Sequence, residues 1–108
     1  MSSVNNVFDV LGDGSEEVAG TLLKTEAFTL ERIVSYGQSS PEGFWYEQER
    51  DEWVCLLRGS ARLVFADGRQ LELAAGDYLH IAAACRHRVE NCSSDAHWLA
   101  LHYCDAKA

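Results

Sequence analysis

Two segments of the chain carry its strongest structural signals: Gly43 to Gly59, GFWYEQERDEWVCLLRG, and Gly76 to Asn91, GDYLHIAAACRHRVEN. In the first, two aromatic and apolar runs, Phe44–Gln48 and Trp53–Leu57, flank the charged residues 49–51. Such runs, bounded by turn residues, are typical of β-strands. We therefore predict two strands here, joined by a hairpin.

The rest of the chain continues the same pattern of short β-like runs separated by turn residues. Asp67-Gly68 is a strong hairpin signal because glycine accepts the positive φ that tight turns need. The absence of any long stretch with a 3.6-residue period favours an all-β protein of two facing antiparallel sheets. The further predicted strands are Phe28–Val34, Ala61–Phe65, Gln70–Leu73, Tyr78–Ala82 and Trp98–Tyr103.

The N-terminal region carries a weaker signal. Residues 4–11 fit either a short helical turn or an edge strand, and the polar, glycine-containing residues 12–17 predict a loop. A chain of 108 residues fits one domain. We therefore predict an N-terminal extension over residues 1–20 and a single barrel domain over residues 21–108.

Composition limits the classes of binding partner and the cellular compartment that we expect for this protein. The net charge of −8 argues against nucleic acid or an anionic membrane as partner, because phosphate-binding surfaces need clustered Lys and Arg. No signal-peptide pattern and no membrane-spanning apolar run are visible. The four cysteines form no C-x-x-C pair, which favours reduced thiols and a cytoplasmic location.

The first stretch resembles the first signature of the cupin superfamily, G-x5-H-x-H-x3-E-x6-G. When Glu52 is placed on the glutamate of that signature, Gly59 falls on its closing glycine. Tyr46 and Gln48 then occupy the positions of the two usual histidines. The match is strongest to small single-domain cupins (the cupin 2 conserved-barrel type) with a Phe-Trp-Tyr-x-Gln variant of this signature.

The second stretch resembles the second cupin signature, G-x5-P-x-G-x2-H-x3-N. Gly76, His87 and Asn91 are in register with it, whereas Ala82 and Ala84 replace the usual proline and glycine. The resemblance covers about half of the chain. It implies a jelly-roll barrel, also called a double-stranded β-helix, built from two antiparallel sheets.

The resemblance also implies a metal site in the barrel, since the superfamily usually holds an ion with three histidines and one glutamate. The corresponding residues here are Tyr46, Gln48, Glu52 and His87. The expected cofactor is a divalent transition metal, which could be iron, manganese, zinc or nickel. Neither a nucleotide nor a flavin is expected.

Ligand chemistry favours only part of this set. An amide oxygen is a weak ligand and a tyrosine must first lose its proton, so Glu52 and His87 are the strong donors. His102 would supply a third if it faced inward, but the alternation along Trp98–Tyr103 leaves its direction open. We take Gln48, Glu52, His87 and His102 as candidate metal ligands, and Glu52 and Tyr46 as candidate catalytic residues.

The function predicted from these features is a metal-dependent enzyme that acts on a small molecule in the barrel pocket. The alternative is a non-catalytic module that binds or senses a small ligand without metal. Gln48 and Tyr46 could fix such a ligand by hydrogen bonds alone, so the sequence leaves open whether the protein is an enzyme. Cupins of this size commonly pair, and the resemblance therefore implies a homodimer.

Overall fold

The computed structural model describes residues 3–9, 17–41 and 43–104, and every regular element within them is a β-strand. The predicted all-β class is therefore confirmed. The strands are β1 (Val18–Lys24), β2 (Phe28–Val34), β3 (Asp51–Arg58), β4 (Ser60–Phe65), β5 (Gln70–Ala74), β6 (Tyr78–Ile81), β7 (His87–Cys92) and β8 (His97–Tyr103).

The strands form two antiparallel sheets, as predicted. One sheet has five strands in the order β1-β2-β8-β3-β6, and the other has three in the order β5-β4-β7. Neighbours in the larger sheet are mostly distant in sequence, as β8 inserts between β2 and β3. This arrangement brings β8 into the middle of the larger sheet.

The core lies between the inner faces of the two sheets and follows from the period of two along each strand. On β3, Val54 and Leu56 are buried, with Leu56 wholly so. Leu63 and Phe65 of β4 meet them from the opposite sheet, and Trp98 of β8 belongs to the same cluster. Since alternate residues share a face, the same parity decides which polar side chains point inward.

The segment Phe44–Gln48 is not the predicted strand. Within it only Tyr46 forms a β-bridge, and its partner is His87 rather than a residue of β3. The carbonyl of Gln48 accepts a hydrogen bond from Ala84 N at 2.8 Å. The backbone of this segment thus forms its hydrogen bonds with the start of β7 and with the loop before it. No hairpin with β3 forms.

Residues 3–9 form neither a helix nor a strand and lie across the larger sheet. The Val7 carbonyl accepts hydrogen bonds from His97 Nε2 at 2.7 Å and Arg32 Nη1 at 3.3 Å. The Phe8 ring lies 4.8 Å from the His97 ring. Residues 10 and 11 of the predicted turn or edge strand, and the predicted loop up to residue 16, lie outside the described residues.

The larger sheet begins within the region predicted as an N-terminal extension, because β1 starts at Val18. No helix long and apolar enough to span a membrane occurs in the part of the chain that the structure describes.

The turn between β6 and β7 has a strained residue at its centre. Ala84 has a φ of 64°, and it occupies the place where the second signature usually has glycine. The turn is held by hydrogen bonds from Ala83 N to Asp51 Oδ1 at 3.0 Å and from Cys85 N to the Ala82 carbonyl at 3.1 Å. The left-handed conformation costs an L-residue about 1–2 kcal/mol because of its Cβ.

We expect Ala84→Gly to raise the free energy of unfolding by up to about 1 kcal/mol, because it removes the strain and adds only backbone entropy to the unfolded chain. Ala83→Gly, one residue earlier at a position without positive φ, is the matched control and should lower stability by about 0.5–1 kcal/mol. Urea unfolding of the three proteins measures the difference. Equal destabilisation by both substitutions would contradict the strain at Ala84.

Candidate functional site

A cavity of about 220 Å³ opens between the two sheets. Apolar side chains of both sheets form its walls, and a group of carboxylates, imidazoles and other polar side chains lies among them. The described residues that line it are Glu17, Glu31, Ile33, Tyr46, Gln48, Glu52, Val54, Leu63, Ile81, His87, Val89, Trp98 and His102.

The pairing of β3 with β8 places Glu52 directly opposite His102. Both residues are buried, with 9% and 5% of their surface exposed. The inward face of β8 therefore carries Trp98, Ala100 and His102, which settles the question that the sequence left open. His102 Nε2 lies 3.8 Å from Glu52 Oε2.

His87, at the start of β7, reaches the cavity from the smaller sheet. Its Nδ1 lies 3.0 Å from the Cys85 carbonyl. Because a carbonyl oxygen can only accept, this contact favours the neutral tautomer with the proton on Nδ1, in which Nε2 has a free lone pair. That Nε2 lies 3.6 Å from Glu52 Oε1. A ring oriented in this way by a backbone carbonyl is the usual arrangement of a metal-binding histidine.

Glu31 is a site residue that the sequence analysis missed. It lies on β2, and its Oε1 is 2.6 Å from His102 Nε2, a close contact between the carboxylate and the imidazole. Parity along β2 could have found it, since Thr29 is buried and Ile33 lines the cavity. Glu31 lies between them on the same face of the strand.

Tyr46 and Gln48 line the same cavity, although the hairpin expected to bring them there does not form. The Tyr46 ring stacks on the His87 ring with a centroid separation of 5.7 Å. Burial, reinforced by the nearby charge of Glu17, raises the pKa of the Tyr46 phenol. In the metal-free protein the Tyr46 phenol therefore stays neutral at pH 7 and is able to donate a hydrogen bond.

Burial also raises the pKa of Glu52, because its carboxylate is taken out of water. His102 and His87 oppose this rise when they carry charge, and Glu31 adds to it. A carboxyl group with a raised pKa exchanges protons closer to neutral pH than an exposed one does. Glu52 is therefore suited either to hold a cation or to act as a general acid or base.

The donor set fits a divalent transition metal in part. Ligand atoms that share one ion lie roughly 3 to 3.5 Å apart, since metal–ligand bonds are about 2.1 Å. The Glu52 oxygens are close to that separation from His87 Nε2 and His102 Nε2, at 3.6 and 3.8 Å. However, no three His, Cys, Asp or Glu side chains in the described ranges already form a complete ligand group.

The fold and the position of this cavity agree with a match to the family model described as "Cupin domain", which covers residues 32–102. The chain belongs to the cupin family. The matched region contains every polar cavity residue described above except Glu17 and Glu31. No curated protein matches the chain.

Several solved structures resemble this cupin. A "putative mannose-6-phosphate isomerase" from Ralstonia eutropha JMP134 is 38% identical, with a TM-score of 0.88 over 96% of this chain and 100% of that one. A cupin superfamily protein from Desulfitobacterium hafniense DCB-2 is 18% identical, with a TM-score of 0.76 over 89% and 84% of the two chains. An RmlC-like cupin from Desulfovibrio desulfuricans is 20% identical, with a TM-score of 0.76 over 95% and 96%. The last two support the fold alone.

The buried carboxyl of Glu52 should make the metal-free protein less stable as the pH rises. A pKa raised in the folded state means that the folded protein binds the proton more tightly, so this stabilisation is lost as the pH rises through the folded pKa. Glu52→Gln removes the ionisation. Relative to the original protein, we expect the variant to gain stability between pH 4 and pH 8. Urea unfolding in chelator at both pH values measures this change, and a pH-independent difference would contradict it.

Proposed function

We propose that this cupin is a metal-dependent enzyme that acts on a small molecule in the cavity between its sheets. The observation that carries the proposal is the position of Glu52, whose two carboxylate oxygens face the Nε2 atoms of His87 and His102. These three residues would supply the strong donors to the ion. Two imidazoles and a carboxylate form a set that suits first-row transition metals.

The ion would supply Lewis acidity to an oxygen of the substrate. Tyr46, with its neutral phenol, would donate a hydrogen bond to the same substrate. Val54, Leu63 and Ile81 line the cavity and would exclude water around the bound substrate. Exclusion of water strengthens each electrostatic contact inside the cavity.

The close contact between His102 and Glu31 favours a second candidate function. It occupies one ligand position without any ion, since His102 Nε2 lies 2.6 Å from Glu31 Oε1, and it leaves a polar cavity that could bind a small ligand directly. Gln48 and Tyr46 would then fix that ligand by hydrogen bonds. In this case the protein would be a binding or sensing module rather than an enzyme.

The charge of the cavity bears on the substrate class. Its described lining includes three carboxylates, Glu17, Glu31 and Glu52, and neither Lys nor Arg. A phosphate ester is normally held by Arg, Lys or backbone N–H groups. The similarity to the "putative mannose-6-phosphate isomerase" therefore does not extend naturally to a phosphorylated substrate, and we propose an uncharged ligand rich in hydroxyl groups. A cytoplasmic location and a homodimer stay predictions.

The substrate class can be tested with a matched pair of sugars. We expect mannose-6-phosphate to raise the melting temperature no more than inorganic phosphate does, because the cavity would repel its charge. Any rise in the melting temperature caused by mannose, even at millimolar concentration, should be larger than the rise caused by mannose-6-phosphate. Thermal unfolding of metal-loaded protein gives the comparison. A larger shift with mannose-6-phosphate, which persists at high salt, would contradict the proposed substrate class.

Metal binding is tested by elemental analysis of protein purified without chelator or affinity nickel. We expect about one iron, manganese, zinc or nickel ion per chain, and its loss in Glu52→Ala with the fold retained, since two histidines alone hold an ion weakly. Glu47→Ala is the control, because Glu47 is exposed and pairs with Arg86 at 3.2 Å.

Two results would count against the metal-dependent enzyme. The first is folded protein that contains no metal and takes none up from added Zn²⁺, Mn²⁺, Fe²⁺ or Ni²⁺, which would favour the binding module. The second is equal metal content in Glu52→Ala and the original protein, which would place the ion outside this cavity.

A further inference from the structure

We propose that Glu31 is the fourth protein ligand of the metal site. It would take the role that neither Tyr46 nor Gln48, at the positions of the two usual histidines, can fill well. The inference rests on the proposed metal-dependent function and concerns the same cavity. The ligand set would be Glu31, Glu52, His87 and His102, contributed by strands β2, β3, β7 and β8.

The contacts place Glu31 in a continuous chain of donor atoms. Glu31 Oε1 contacts His102 Nε2, which faces Glu52 Oε2, and the other Glu52 oxygen faces His87 Nε2. The distances along this chain are 2.6, 3.8 and 3.6 Å. The shortest of these distances is less than the separation of two ligands of one ion, so Glu31 Oε1 must move away from His102 Nε2 before both atoms can contact the ion. Any proton on Nε2 must move to Nδ1 of the same ring, which keeps the imidazole neutral and frees the Nε2 lone pair.

Glu31 is able to make that adjustment. Its side chain is 29% exposed, against 12% for Glu52, and Oε1 is held in the cavity by His102. A glutamate side chain has three rotatable bonds, so a movement of several tenths of an ångström needs no shift of the strand. His102 Nε2 is the ring nitrogen that faces both Glu31 and Glu52, so it is the atom of His102 that would contact the ion.

Electrostatics favour Glu31 over the two residues that occupy the usual ligand positions. Gln48 is uncharged, and the phenol of Tyr46 would have to lose its proton to bind a metal well. With Glu52 as the only carboxylate, a divalent ion would leave a net positive charge inside an apolar barrel. With Glu31 added, the charges of the two carboxylate ligands balance those of the ion, and Glu17, which accepts a hydrogen bond from Ser35, stays outside the ligand set. A neutral buried centre is much less costly than a charged one.

The test is titration of chelator-stripped protein with Co²⁺, followed by calorimetry and by the visible absorption of the bound ion. We expect Glu31→Gln to weaken binding by about 100-fold or more, beyond the 10–100-fold typical of losing a partner outside the ligand set. It should also change the absorption bands. Glu31→Asp, which keeps the carboxylate, should recover part of the affinity.

Glu17→Gln is the matched control. Glu17 also lines the cavity and carries the same charge, but its carboxylate accepts a hydrogen bond from Ser35 Oγ at 2.7 Å. If Glu31 acts only through the field of its charge, both variants should weaken binding to a similar extent. If it is a ligand, Glu17→Gln should change the affinity by less than about threefold and leave the spectrum unchanged.

Gln48→Ala completes the set and should also bind Co²⁺ nearly as well as the original protein. Loss of binding in Gln48→Ala together with retention in Glu31→Gln would overturn the inference and make Gln48 the fourth ligand. Equal effects of Glu31→Gln and Glu17→Gln would overturn it as well. Absence of Co²⁺ binding to the original protein would instead reject the proposed metal-dependent function. Unfolding midpoints of the stripped variants establish that each is folded before titration.

Discussion

The pairing of β3 with β8 is the constraint on which the site depends. It runs in register from Asp51 opposite Tyr103 through Glu52 opposite His102. A slip of one residue would turn every side chain of one strand to its other face, which would expose Leu56 and remove Glu52 from the cavity. The burial of the apolar core therefore also fixes the polar centre, since both lie on the same face of the same strands.

The polar centre is an acidic site inside an apolar barrel, and this combination limits what it can bind. Carboxylates in such surroundings need a positive partner, because unpaired burial of charge is costly. Here the imidazoles of His87 and His102 stand beside the carboxylates of Glu52 and Glu31. That balance is compatible with a cation or with a neutral ligand rich in hydrogen-bond donors, and it disfavours an anion.

Much of the site could be predicted from sequence because it lies in two local patterns. The spacing around Glu52 and His87 identified both residues, and the structure places both in one cavity. Glu31 was missed because it lies outside those patterns, on a strand where the parity of Thr29 and Ile33 was the only signal. The segment Phe44–Gln48 was assigned wrongly, since its composition suits a strand but its backbone pairs with His87 and the loop before β7.

The all-β class, the family, most strand positions and the two strongest candidate ligands could be predicted from the amino-acid sequence, because these follow from residue spacing along short segments. Long-range packing was needed to show that His102 faces inward, that Glu31 contacts it, and that Ala84 takes a left-handed conformation where glycine is usual. Alternation along one strand gives two faces without saying which is buried. That choice is made by the opposite sheet, whose strands lie far away in the sequence.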